Sequence, residues 1–99
     1  MTMKKIKENI DLKELEKYGY EEENSRYVKY TNDTYYDNPI TITVNKFTRI
    51  IEKCYAWKCM LGPIYHSPII KNDKQVKPDK YIKDLIKAGY VEEIEWESE

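Results

Sequence analysis

Cys54, Cys59 and His66 are the residues of this 99-residue chain best suited to chemistry. A thiolate and an imidazole can serve as nucleophile and base, and both are metal ligands. Their spacing is C-x4-C-x6-H. A structural zinc site closes about four ligands, usually in pairs roughly two to four residues apart, so this set would need a distant carboxylate. No metal is expected. His66 lies in Ile64-Tyr65-His66-Ser67-Pro68, and adjacency along the chain does not aim the Ser67 hydroxyl at the ring, so His66 reads as a surface-loop histidine. Gly19, Gly62 and Gly89 are isolated and form no phosphate cradle. Glu21-Glu22-Glu23 and Glu92-Glu93 read as solvated strand edges that discourage aggregation. Neither a catalytic residue nor a cofactor is expected.

Two groups of side chains are suited to binding instead. The connection 58–77 carries Met60, Leu61, Ile64, Tyr65, Ile69 and Ile70 between and beside Pro63 and Pro68. The prolines stiffen the segment and lower the cost of ordering it on a partner. The expectation is that Ile64, Tyr65, His66, Ile69 and Ile70 face a protein partner while Met60 and Leu61 pack inward. Tyr35 and Tyr36, in the polar stretch 32–39, would add amphipathic contact area. The alternative is a nucleic-acid or nucleotide face of Lys46, Arg49, Lys53 and Lys58 beside Tyr55 and Trp57. A formal net charge of -1 argues against strong non-specific nucleic-acid binding. Residues 40–89 are locally basic, but the acidic stretch 90–99 would cancel that field where the two pair. The ten tyrosines are matched by an excess of Lys, Ile and Asn, the residues of AT-rich codons, which weakens a base-stacking reading.

The elements that must hold these groups follow from capping and periodicity. Asp11 caps a helix over 12–18, Glu14 reaches back as in a capping box, Ile10 and Leu15 staple it, and Gly19 ends it. The same grammar returns in 78–90: Pro78 and Asp79 start a helix, Ile82, Leu85 and Ile86 form its apolar face, and Gly89 stops it. Strands are expected at 26–31, 40–44 and 90–96, with a loop at 32–39. Over 45–61 a turn and strand is preferred to a helix because β-branched and aromatic residues dominate. The expected fold is α+β, an antiparallel sheet of four or five strands with two short helices packed on one face. Residues 1–99 would form one domain containing the long connection 58–77. The basic N-terminus lacks an apolar run, no segment reaches about 18 apolar residues, and two cysteines suit a reducing compartment, so a cytoplasmic location is expected.

The segments LKELEKYGY, ITITVNKFTR and YIKDLIKAGYVEEIE, at 12–20, 40–49 and 81–95, resemble small uncharacterised phage and prophage accessory proteins of AT-rich, Firmicutes-type bacteria. The resemblance covers about half of the chain and its motifs are structural, so no active-site residue carries over. It implies a counter-defence, anti-CRISPR-like role: a protein-binding factor that blocks a host defence machine, such as a CRISPR nuclease, by occupying its surface. The expected partner is therefore a host protein, with nucleic acid second and no membrane.

Overall fold

The computed structural model describes residues 2–58, 64–71, 74–75 and 78–95. Strand β1 (Thr2–Ile6) leads to a 3₁₀ helix (Leu12–Tyr18), then β2 (Glu21–Glu22), β3 (Arg26–Tyr35), β4 (Asn38–Asn45), β5 (Ile50–Lys58) and β6 (Ile64–Pro68). A two-stranded ribbon of β7 (Ile70–Lys71) and β8 (Lys74–Gln75) precedes a 3₁₀ turn (Asp79–Tyr81), helix α1 (Lys83–Lys87) and β9 (Val91–Glu95). The main sheet is antiparallel, in the order β2-β3-β4-β5-β1-β9, with β6 also paired to β5. β1 meets β5 at Ile50 and Ile51, while β6 meets the same edge at Cys54 through Lys58. One edge of β5 thus carries two strands in succession.

Both short helices end in the same way. Tyr20 N–H donates to the Leu15 carbonyl (3.2 Å) and Gly19 N–H to that of Glu16 (3.2 Å). Tyr90 N–H donates to Leu85 (3.1 Å) and Gly89 N–H to Ile86 (3.0 Å). These are two Schellman caps, each turning on a glycine with positive φ, 89° at Gly19 and 80° at Gly89. Leu15 and Leu85, which supply the first carbonyls, are fully buried. They join Ile6, Tyr20, Tyr27, Ile42, Val44, Ile51 and Ile82 in one core on one face of the sheet, and Tyr18 meets Tyr90 edge-on at 5.8 Å.

The α+β class and the placement of both helices on one face agree with expectation, as does a strand rather than a helix at 50–58. The differences are instructive. Among the described residues the main sheet has seven strands, not four or five. β1 was not anticipated because Lys4 and Lys5 interrupt its apolar pattern; they face β9, where Lys4 Nζ pairs with Glu93 at 2.6 Å and Lys5 Nζ approaches Glu92 at 3.7 Å. The supposed loop 32–39 is strand on both sides of a two-residue turn, Tyr36-Asp37, because β3 continues past an irregularity between Tyr30 and Thr34. Part of the connection 58–77 is strand, so His66 is a strand residue rather than a loop histidine. Asp11 caps as expected, its Oδ1 accepting from Lys13 N–H at 3.0 Å, but Glu14 pairs forward with Lys17 at 2.7 Å instead of reaching back. The second helix breaks at Ile82, and Ile86 stands exposed.

At Gly89 a Cβ would meet no atom within 4 Å, so any cost of filling the site comes from the backbone alone. Gly89→Ala is expected to lose about 1–2 kcal/mol in chemical denaturation and Gly89→Asn distinctly less, since asparagine tolerates the left-handed region.

Candidate functional site

Residues alternate across β5, so Ile51, Lys53, Tyr55 and Trp57 share the face that carries the helices. Ile51 lies in the core beneath them. Lys53 is next, its Nζ 5.2 Å from the centre of the Tyr81 ring. Burial and the nearby Lys80 depress the Lys53 pKa. The Tyr81 hydroxyl donates to Asp33, which also receives Lys80 Nζ at 3.3 Å; burial and then this hydrogen bond push the Tyr81 phenol up to about 12, so it remains protonated. This polar row closes the core.

Beyond it stands a band of aromatic rings. Tyr55 faces Tyr35 at 5.4 Å, and Tyr35 meets Tyr36 edge-on at 4.6 Å. Trp57 stacks on Tyr65 of β6 at 5.2 Å and donates from Nε1 to Ser67 Oγ at 3.1 Å. Tyr55 and Trp57 are two residues apart on one strand, about 6.6 Å, so the groups are continuous across β3, β5 and β6. Tyr36 is 82% exposed, Tyr65 46% and Trp57 37%. The turn presents Tyr36 at a cost: Tyr36 and Asp37 adopt φ of 47° and 65°, the mirror-image hairpin turn that asparagine and glycine suit best.

The opposite face is polar and concave. His66 and Tyr30 lean together over β4 and β5, with ring centres 5.8 Å apart, roofing Thr41 and the small Ala56 between them. His66 Nδ1 lies 3.1 Å from Thr41 Oγ1. Burial, followed by the charge of Arg26, holds the His66 pKa below its ordinary value. Beside this roof is a cavity of about 210 Å³ lined by Ser25, Arg26, Thr43, Asn45, Glu52, Cys54, His66 and Pro68. Burial pushes the Cys54 thiol up to about 11, which makes it a poor nucleophile.

The expected partner residues are divided by this geometry. Tyr35, Tyr36 and Tyr65 join the aromatic band; Ile64 is exposed on β6 but points to the other face, as does His66. Ile69 is a correction. It is 3% exposed, held by its N–H to the Lys53 carbonyl at 3.0 Å, and cannot be a surface anchor. The expectations for Cys59, Met60 and Leu61, and for the side chains of Lys58 and Ile70, lie outside the described residues.

The alternative nucleic-acid set does not assemble. Lys46 pairs with Glu22 at 2.9 Å. Arg49 donates from Nη1 to the carbonyls of Lys7 (2.8 Å) and Ile10 (2.6 Å), and its Nε faces Glu8 at 3.4 Å, so it staples the chain after β1 to the turn before β5. Both sit at the Ile50 end of β5, roughly 23 Å along the strand from Trp57. Only Lys53 stands near Tyr55 and Trp57 among the described side chains of that set.

Sequence reasoning missed Arg26 and Glu52, whose only signal was a charged residue at alternate positions of a strand. Among the described residues no group of three or more His, Cys, Asp or Glu could hold a metal ion, and no helix is long and apolar enough to cross a membrane. Comparison of the chain with protein-family models, curated proteins and solved structures finds no match.

The lowered pKa of His66 has a defined consequence for stability. Well above pH 6.5, its ordinary value, the ring is neutral in both folded and unfolded chains. As the pH falls from there, the unfolded chain takes up the proton first, and stability is lost. Melting temperature is expected to fall as the pH drops through about 6.5, with His66→Gln removing that part of the slope; an unchanged slope in the variant would place the cause elsewhere.

Proposed function

We propose that this chain is a protein-binding accessory factor that works by occupying a surface of its partner. The observation that carries this reading is the aromatic band of Tyr35, Tyr36, Tyr55, Trp57 and Tyr65, which lies beyond the helices and includes a strongly exposed tyrosine on a strained turn. Tyrosine and tryptophan give large, rigid contact area at low ordering cost and dominate the energetics of many interfaces. A strained backbone that displays a side chain to solvent is a common mark of a functional segment. The resemblance at 12–20, 40–49 and 81–95 directs the partner to a host defence machine such as a CRISPR nuclease, with the chain as a phage-type inhibitor.

Nucleic-acid binding would use the same rings, but Lys46 and Arg49 are committed to acidic and carbonyl partners elsewhere. Salt dependence separates the two: a phosphate-dominated contact weakens steeply as salt rises, an aromatic protein contact little.

The decisive experiment expresses the chain in a host carrying an active CRISPR nuclease and scores survival of a targeted plasmid. Protection is expected, with Trp57→Ala and Tyr65→Ala each abolishing most of it while the protein remains folded, as a cooperative melting curve checks. Ile69→Ala, by contrast, should cost about 2–4 kcal/mol of stability as a buried large-to-small change. Replacing Tyr36-Asp37 by Asn-Gly should raise stability by about 1 kcal/mol and still reduce protection, because it relieves the turn and removes the ring. Absence of protection against any nuclease tested would reject the inhibitor role. Protection that survives loss of the rings would reject this surface.

A further inference from the structure

We propose that the concave face between β3 and β6 binds a small α-amino acid as its zwitterion, with the carboxylate held at Arg26 and the ammonium at Glu52. The site is independent of the aromatic band, which lies on the other face of the sheet.

Arg26 and Glu52 line one cavity, yet no ion pair joins them. Arg26 commits its Nε to Glu23 at 3.0 Å, which leaves the outer nitrogens of the guanidinium for another acceptor. Glu52 has no ion-pair partner among the described residues, and Thr43, its neighbour across β4, is neutral. Opposite charges that share a recess without touching suit a ligand that carries both charges at its own ends. A simple anion would face Glu52 unpaired, and a simple amine would face Arg26.

The polar groups around each charge are sorted accordingly. Asn45 Oδ1 accepts from the N–H of Phe47 (2.7 Å) and Thr48 (2.9 Å), which fixes the amide and leaves Nδ2 as a donor on the Arg26 side. His66 Nδ1 is engaged with Thr41, so Nε2 is the ring nitrogen left to a ligand. The floor is Thr43 and Cys54, both buried. A volume of about 210 Å³ suits a ligand the size of alanine or serine better than one the size of tryptophan.

The test is an amide-resolved NMR titration of the whole chain with L-alanine, L-serine, L-tryptophan, acetate and methylammonium. L-Alanine or L-serine is expected to shift the resonances of Arg26, Glu52 and His66 saturably in the millimolar range, with at least tenfold weaker effects from acetate, methylammonium and tryptophan. Glu52→Gln and Arg26→Gln should each weaken binding at least tenfold, and Arg26→Lys, which keeps a charge opposite Glu23, provides the folded control where Arg26→Gln disturbs the strand. The proposal is overturned if neither amino acid produces a saturable shift, if acetate alone matches them, or if Glu52→Gln leaves the affinity unchanged in a folded protein.

Discussion

The edge of β5 is shared, and most of the architecture follows from that. Its first residues pair with β1 and its later residues with β6, so two arrangements are joined along one nine-residue strand. Near Ile51 the sheet is widened by β1 and β9, and there both helices place Leu15, Ile82 and Leu85 over Ile42, Val44 and Ile51. β1 and β9 are only five residues long, about 17 Å, whereas β3 has ten. The longer strands therefore run on past the helices. Their far ends carry aromatic rings on one face and the polar recess on the other.

The covered half is held by burial more than by charge. The lysines of β1 face glutamates of β9 across the ladder, yet such partly exposed pairs contribute little individually. Their value lies in register, because a one-residue slip would turn Ile6 out of the core and oppose the wrong charges. The two Schellman caps act in the same region. Each reverses the chain from a short helix into a strand while its leucine enters the core and its tyrosine packs behind, and Tyr18 touching Tyr90 brings the two reversals together.

What could be read in the sequence was local. Gly19 and Gly89 end helices because start signal, apolar face and glycine lie within a dozen residues, and 40–44 shows its alternation directly. β1 escaped notice because the partners that justify Lys4 and Lys5 in a central strand lie nearly the whole chain away. Residues 32–35 look like loop by composition but are drawn into β3 by pairing with β4. Tyr35, Tyr36, Tyr65, Tyr55 and Trp57 were each visible as contact residues, though divided between two opposing ideas. Only the register that sets Trp57 opposite Tyr65 unites them. That register also explains Ile69, which shares the face of Tyr65 but falls four residues nearer the helices and is buried there.

The position of β1 also constrains the order in which the chain can become ordered. The hairpins from β3 to β5 join segments close in sequence, so their loops are cheap to close. β1 has no such neighbour. Lys5 pairs with Ile50 on one side and with Glu92 on the other, so the first strand finds its place only after the turn at 45–49 has formed and after the last strand exists. During synthesis Ile6 must wait in solvent until Val91 and the rest of β9 emerge. High contact order of this kind slows folding, and it concentrates the risk of misassembly in the amino-terminal segment rather than in the surface used for binding.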